Sequence, residues 1–378
     1  MTQYPSLKKF LDITPQSYPI TTAYISVDIR QPSRQNYITE LKKLIQYKKR
    51  KSYFRELSQI ERESVLEDFD KILKYAREDF SINGKLTSVC FSSSAEGIWE
   101  TVNFNIPFRT DIEVQPYPYI RLLAGIYSGH RNYAVLLIDR NKARIFESRL
   151  GENIEHFHIR ENSYEKIKYG GYYGRDERSV ERNIRNMVIQ HYKRVADEIF
   201  NLNRKRDFSW IIIGGRREIM NEFRRYLHEF VIGKILGEME VDPDAHINDV
   251  LDRVKETENV ARKKFEEELV RSMKGKLHDN LAVEGLHGVI TASRKRAVKT
   301  LIFTESFVQK GVFCKKCDYL SIERQDNCPV CGVKLYKTND IVELLLHRVL
   351  RNGGDVEVLD SDTRDFPGIG AILHFPVA

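Results

Sequence analysis

Apolar and polar positions in the first third of the chain follow two different spacings. ITTAYISVDI, LTSVCFSS and GIWETVNFNIP have the short, alternating and β-branched or aromatic character of strands. Between Ile38 and Arg77, apolar residues recur every three or four positions, which predicts helices. The proline-rich segment QPYPYI at 115–120 interrupts the pattern and predicts a linker or domain edge. We therefore predict an N-terminal α/β domain at residues 1–122.

The middle of the chain begins with the pattern of a β-hairpin. In YAVLLIDRNKARIFESRL, two apolar runs flank the turn-forming residues DRNK at 139–142. IEHFHI predicts a third strand, and a helical pattern extends from about Glu177 to Asn201. DFSWIIIGGRREIMNEFRRYL then has the strand–glycine–helix order of an α/β unit, and the charged run beginning INDVLDRV predicts a closing helix. These elements predict a middle α/β domain at residues 123–276.

The last part of the chain, residues 277–378, again alternates helices with strands. LAVEGLHGVITASRKRAVKTLIFTE predicts a helix followed by a buried strand. DIVELLLHRVLRNGGDVEVLD predicts a helix, a Gly-Gly cap and a strand, and GIGAILHFPV predicts a final strand. Since such alternation favours layered α/β domains, the predicted fold class is α/β (α+β) in three domains.

Length, charge and hydropathy narrow the class of protein. A chain of 378 residues is too long for one ordinary core, which agrees with several domains. It carries 61 basic and 54 acidic residues, and its net charge of +7 favours polyanionic partners. No apolar run predicts a membrane span, and MTQYPSLKKFLDITPQ at the start lacks the apolar core of a secretory signal. We expect a monomeric cytoplasmic protein.

Four of the five cysteines form the most specific motif. Cys314, Cys317, Cys328 and Cys331 have the spacing C-x2-C-x10-C-x2-C, in which two tight turns bring four thiolates around one metal ion. A redox pair or two disulfides are the alternatives, and both are unusual for cysteines so close together in a cytoplasmic chain. We predict a structural Zn²⁺ site in a zinc ribbon at 311–336, and a four-thiolate site leaves no position for catalytic water.

The segment KYGGYYGRDERS at 168–179 is the second candidate site. Its two glycines leave the backbone bare, and its tyrosines offer rings on which unpaired bases can stack. The predicted helix that follows carries arginines on one face. A loop followed by an amphipathic helix with a solvated basic face is the simpler alternative. The predicted loop residues are Tyr169, Gly170, Gly171, Tyr172 and Tyr173, and the predicted RNA-binding residues are Lys168, Arg175, Arg178, Arg182 and Arg185.

A second basic cluster lies in the first domain. Lys48, Lys49, Arg50 and Lys51 are either a solvated helix end or a phosphate contact, and their density favours a phosphate contact. The run IIIGGRRE has the order of a phosphate-binding turn but lacks G-x-x-x-x-G-K-[ST], so we do not predict a P-loop.

The order of these segments along the chain resembles that in the archaeal and eukaryotic class I release factor and Pelota superfamily, including its Balon-like bacterial branch of hibernation factors. YAVLLIDRNKARIFESRLGENIEHFHI is similar to the first sheet of that family's middle domain, and RNIRNMVIQHYKRVADEI is similar to its basic helix. DFPGIGAILHFPV and the cysteine ribbon are similar to its C-terminal domain. The resemblance implies an RNase H-like middle domain, an N-terminal domain placed near the decoding region, and a C-terminal domain related to kink-turn-binding ribosomal proteins.

Two signatures of termination differ from the family pattern. Gly170 and Gly171 match the glycines of the Gly-Gly-Gln loop, which in release factors enters the peptidyl-transferase centre, but Tyr172 stands at the position of the glutamine. The first domain also has no Asn-Ile-Lys-Ser-like motif for reading stop codons. A phenol cannot replace an amide that positions water and stabilises an oxyanion, so we expect no catalytic residues.

The resemblance and its departures together imply a function in translation. We expect a ribosome-binding factor that occupies the A site as a tRNA mimic, contacts rRNA of both subunits, and serves hibernation or rescue without peptide release. Elongation factor Tu or a related GTPase is the implied protein partner. The alternatives are a peptidyl-tRNA hydrolase or release factor that uses the Gly171–Tyr172 backbone, and a zinc-stabilised scaffold with no ribosomal role.

Overall fold

The computed structural model describes residues 7–13, 17–27, 34–80, 86–129, 131–150, 152–161, 176–360 and 366–377. Its contacts divide the chain into two compact units. The first, here called the terminal unit, comprises Met1–Gly129 and Glu266–Ala378. The second, the middle unit, comprises His130–Phe265. The first and third predicted domains thus share one unit, and their separation at 122 and 277 stays a prediction.

The N-terminal part of the terminal unit is an antiparallel sheet covered by helices. Its strands lie in the order β3-β2-β1-β4. All seven residues of the central strand β1 are buried, so both faces of the sheet are covered. The elements are β1 (Ile20–Ser26), α1 (Arg34–Lys49), α2 (Ser52–Glu56), α3 (Gln59–Glu78), β2 (Thr87–Ser93), β3 (Ile98–Phe104), β4 (Asp111–Gln115) and α4 (Arg121–Gly129).

The middle unit is built on a five-stranded mixed sheet in the order β7-β6-β5-β8-β9. Strands β5, β6 and β7 are antiparallel, whereas β8 and β9 add parallel to β5. An antiparallel meander extended by two parallel strands is the RNase H-like arrangement that was predicted. The elements are β5 (Tyr133–Ile138), β6 (Lys142–Arg149), β7 (Glu152–Arg160), α5 (Asp176–Arg206), β8 (Trp210–Gly215), α6 (Arg217–Phe223), α7 (Glu229–Ile232), β9 (Ile235–Met239) and α8 (Ile247–Gly275), whose residues from Glu266 onward belong to the terminal unit.

Helices cover both faces of this sheet. On one face, Tyr192 and Ile199 of α5 pack against Leu136 and Ile211 of β5 and β8. On the other face, residues of α8 such as Val254 join a separate cluster of buried residues from the same strands. Because β5 and β8 are buried on both faces, they read as continuous apolar runs rather than alternating ones.

The C-terminal part of the terminal unit contains two further sheets. A four-stranded sheet has the order β10-β16-β11-β15, in which β11 and β15 are parallel, and a small antiparallel sheet has the order β13-β12-β14. The elements are β10 (Ala282–Glu284), α9 (Gly285–Arg294), β11 (Val298–Thr304), β12 (Gly311–Phe313), β13 (Leu320–Ser321), β14 (Tyr336–Thr338), α10 (Ile341–Arg351), β15 (Asp355–Leu359) and β16 (Ile369–Leu373).

The predicted mixed α/β fold class is confirmed, and QPYPYI, predicted to be a linker or domain edge, is packed rather than exposed. Ile120 is fully buried, and the hydroxyl of Tyr24 donates a hydrogen bond to the carbonyl oxygen of Tyr119 at 2.6 Å. The segment is therefore part of the packed interior of the terminal unit. Among the described residues, no helix combines the length and apolar character needed to span a bilayer.

Candidate metal and RNA-binding sites

The small sheet β13-β12-β14 brings the four predicted cysteine ligands together. Their sulfur atoms all lie within 4.8 Å of one another, and the pairs Cys314–Cys331 and Cys317–Cys328 are each separated by 3.4 Å. Two thiolates on a tetrahedral Zn²⁺, with Zn–S bonds of about 2.3 Å, lie about 3.8 Å apart. None of the four forms a disulfide, so the arrangement is a four-thiol cluster that can hold a metal ion.

The two halves of this cluster repeat the same backbone turn. The amide of Asp318 donates to the carbonyl oxygen of Cys314 at 3.1 Å, and the amide of Gly332 donates to that of Cys328 at 2.8 Å. Asp318 and Gly332 both have left-handed conformations, with φ of 54° and 71°. Both turns therefore place a residue in the left-handed region that favours glycine, although only one uses glycine.

The pKa is lowered for two of the four thiols, Cys314 and Cys328, and raised for the other two, Cys317 and Cys331. Burial raises the pKa of Cys328, but N–H groups of Val330 and Cys331 and the neighbouring thiols outweigh it and lower the pKa to about 7. Thiolates are the form that binds metal ions. The donor set and its amides therefore fit a closed, structural metal site.

Helix α5 has two different halves. From Val188 onward its inner side is buried, with Tyr192 and Ile199 fully covered. Of residues 181–187, all but Ile184 are exposed, including Arg182 and Arg185. Met187, the residue before Val188, is 48% exposed. The second half of the helix anchors it to the sheet, and the first half presents charge to solvent.

Most of the predicted loop site lies outside the described residues. This applies to Lys168, Tyr169, Gly170, Gly171, Tyr172, Tyr173 and Arg175, and to the side chain of Arg178 at the start of α5. Their roles stay predictions. His191, further along α5, is 1% exposed, which agrees with a structural role.

The basic cluster at the end of α1 is divided between internal and exposed residues. Lys48 forms an ion pair with Glu113 of β4, and its side chain is 17% exposed. The ammonium group of Lys51 lies 4.2 Å from the ring centroid of Tyr47, and Arg50 is exposed. Because Lys48 already neutralises an acid, Arg50 and Lys51 are better placed for a phosphate contact.

The glycine pair of IIIGGRRE has a packing reason. A Cβ atom added at Gly214 would lie 2.6 Å from Leu137 Cδ2 and 2.7 Å from Val241 Cγ1. Both distances are below van der Waals contact, so a side chain at Gly214 would require its neighbours to move.

Sequence reasoning missed a buried ionic cluster in the terminal unit. The carboxylate of Glu343 on α10 accepts the backbone N–H groups of Ile120 at 2.7 Å and Arg121 at 3.1 Å. The guanidinium of Arg121 donates to Asp340 at 2.8 Å, and Nε2 of His347 lies 2.8 Å from the carbonyl oxygen of Pro118. These contacts tie α4 to α10 across more than two hundred residues of sequence.

Comparisons with known proteins agree with the class that the sequence predicted. Residues 118–259 match the family described as bacterial archaeo-eukaryotic release factor family 10. This match contains the Gly-Gly segment and α5, so this part of the chain is similar to the release-factor-related proteins. No curated protein matches the chain.

Several solved structures share a low level of similarity with the chain. Pelota from Archaeoglobus fulgidus is 17% identical, with a TM-score of 0.34, over 77% of this chain and 80% of Pelota. The archaeal translation termination factor aRF1 is 16% identical, with a TM-score of 0.26, over 98% and 96%. Ribosome-bound archaeal Pelota, described together with ABCE1, is 16% identical, with a TM-score of 0.43, over 79% and 80%. At these TM-scores no function follows from the superpositions.

Proposed function

We propose that this chain is a ribosome-binding translation factor of the release factor and Pelota type. It occupies the A site as a tRNA mimic and acts in hibernation or rescue without releasing peptide. The observation that carries the proposal is the release-factor family match at 118–259, within which Tyr172 stands at the position of the catalytic glutamine.

The division of α5 supports a role in binding. A helix anchored from Val188 onward can hold a preceding loop in place while Arg182 and Arg185 meet phosphates. Tyr172 would fill the peptidyl-transferase site with a phenol, which lacks the carbonyl and amino groups of a glutamine. With tyrosine in place of glutamine, the protein would occupy this site without hydrolysing peptidyl-tRNA.

We also propose that the four cysteines hold a structural Zn²⁺ and that the protein works in the cytoplasm. Cys314, Cys317, Cys328 and Cys331 would be the ligands, and the ion would supply a cross-link that the small sheet β13-β12-β14 cannot provide alone. Elongation factor Tu or a related GTPase is the proposed delivery partner, and rRNA of both subunits is the proposed binding surface.

Co-sedimentation of the purified protein with vacant ribosomes tests the proposal. We expect binding at low salt that weakens steeply as salt rises, because phosphate contacts release counterions. The double variant Arg182→Glu/Arg185→Glu should lose most binding. Lys255→Glu, which reverses a 69% exposed charge on α8 of the same unit, should keep it. Absence of co-sedimentation by the wild-type protein at low salt would refute the proposal.

An assay of peptide release distinguishes ribosome binding without hydrolysis from the alternative, a peptidyl-tRNA hydrolase. The presence of Gly170 and Gly171 is the observation that favours this alternative. The alternative predicts that labelled peptide leaves stalled ribosome complexes and that Gly171→Ala abolishes the release. Our proposal predicts no release by the wild-type protein under conditions in which it co-sediments with ribosomes.

A further inference from the structure

Three aromatic rings are stacked at the surface of the middle unit. The ring of His228, just before α7, lies 4.3 Å from that of Phe200 on α5, with an interplanar angle of 26°. His228 also lies 5.3 Å from the ring of Phe230, at an angle of 6°. These centroid distances and angles are those of offset-stacked rings.

The outer ring of this stack is open to solvent. Phe230 is 71% exposed, the largest fraction among the large hydrophobic side chains of the described residues. Burying a phenylalanine is strongly favourable, so an exposed ring that the fold also orders offers binding free energy to a molecule that stacks on it.

The fold holds this ring in a defined position. Leu227 is 7% exposed and Val231 is fully buried, so both flanks of the segment are anchored in the core. The backbone N–H of Phe230 donates to Nδ1 of His228 at 3.3 Å, which orients the imidazole. A rigid aromatic surface loses little conformational entropy on binding.

The charges around the stack favour a polyanion. The guanidinium carbon of Arg204 lies 6.0 Å from the ring of Phe200. Residues 198–207 and 224–229 carry five basic side chains, Arg204, Lys205, Arg206, Arg224 and Arg225, against three acidic ones, Glu198, Asp207 and Glu229. Asp207 is already paired with Lys234, and the remaining basic excess complements phosphate groups.

We propose that the Phe200–His228–Phe230 stack binds an unpaired nucleotide base of an RNA. The base stacks on Phe230, and Arg204 and Lys205 lie towards the adjoining phosphates. Stacked aromatic rings with basic neighbours bind single-stranded nucleic acid with little dependence on base identity. The proposal deepens the proposed ribosome binding by assigning an unpaired base to a second surface of the middle unit.

A single-stranded RNA of about ten nucleotides that contains 2-aminopurine tests the proposal with the full-length protein. Stacking quenches the fluorescence of this base, so the probe reports ring contact as well as binding. We expect quenching by the wild-type protein, and about tenfold weaker binding without quenching by Phe230→Leu. Phe230→Tyr, which keeps the ring, should bind as the wild type does.

Val260→Ala removes an apolar side chain that is 58% exposed on α8 and serves as the matched control, with binding unchanged. Equal affinity of Phe230→Leu and the wild type would overturn the proposal, since leucine satisfies an apolar protein contact but offers no ring. No RNA binding by the wild type at low salt would overturn it as well. The assay contains no ribosome, so its failure is distinct from a failure of ribosome co-sedimentation.

Discussion

Replacing Glu343 with glutamine should destabilise the terminal unit because one of two backbone amides loses its hydrogen-bond acceptor. One carboxylate accepts N–H groups from both Ile120 and Arg121, and Glu343 is only 1% exposed. A glutamine keeps one carbonyl oxygen and turns its amino group towards the other N–H. That buried donor then has no acceptor, which costs about 1–3 kcal/mol.

Replacement by alanine should cost more than replacement by glutamine. Glu343→Ala leaves both amides without an acceptor and also removes the contact with His347, whose Nε2 lies 3.1 Å from the carboxylate. We expect a loss of about 3–5 kcal/mol, as for other buried ionic contacts that lose one partner.

Urea unfolding followed by tryptophan fluorescence measures these effects. The chain has two tryptophans, Trp99 in the terminal unit and Trp210 in the middle unit. In a Trp210→Phe background, Trp99 alone reports on the terminal unit. Glu67→Gln, which changes a 61% exposed acid on α3, is the control and should shift stability by less than about 0.5 kcal/mol. If Glu343→Gln has the same urea midpoint as this control, the two hydrogen bonds to Glu343 do not stabilise the terminal unit.

Three further predictions concern the terminal unit. Burial raises the pKa of Asp340 to about 6 against the opposing effect of Arg121. The folded protein therefore holds this proton more tightly than the unfolded chain, and the stability that protonated Asp340 contributes is present at low pH and lost as pH rises through about 6. Asp340→Asn should therefore gain stability relative to the wild type between pH 4 and pH 6 in urea titrations, and a constant difference would contradict this. Cys317→Ser should abolish stoichiometric zinc in metal analysis and lower the melting temperature, whereas Cys90→Ser should retain the metal. Gly332→Ala should cost about 1 kcal/mol because φ is 71° there, while Asp318→Gly, at φ of 54°, should not destabilise the backbone of its turn; thermal melts compare the two.

Sequence reasoning succeeded where one segment determined its own structure. The hairpin of β5 and β6, the long helix α5 and the cysteine cluster were all predicted, because periodicity, turn residues and ligand spacing are local. Strand β4 was missed although the buried Ile112 and Val114 alternate with the half-buried Asp111 and Glu113, since the strand is only five residues long.

Contacts between distant segments could not be predicted. QPYPYI was predicted to be a linker or domain edge because prolines usually mark turns, and the acceptor for the amide of Ile120, Glu343, lies more than two hundred residues away. The phosphate contact of Lys48 stays a prediction, but its ion pair with Glu113 has no sequence signal. The exposed ring of Phe230 carries no sequence pattern, because its position depends on the stack with His228 and Phe200.

The two proposed RNA-binding surfaces of the middle unit lie on, or next to, the same helix. Arg185 and Phe200 are separated by about 22 Å along α5, at 1.5 Å per residue, which exceeds the Debye length of about 8 Å at physiological salt. Their contributions to ribosome affinity should therefore be independent. Combining Phe230→Leu with Arg182→Glu/Arg185→Glu should weaken co-sedimentation by the product of the separate fold-changes. A combined loss no larger than that of the arginine variant alone would show that the aromatic stack does not contact the ribosome to which α5 is bound.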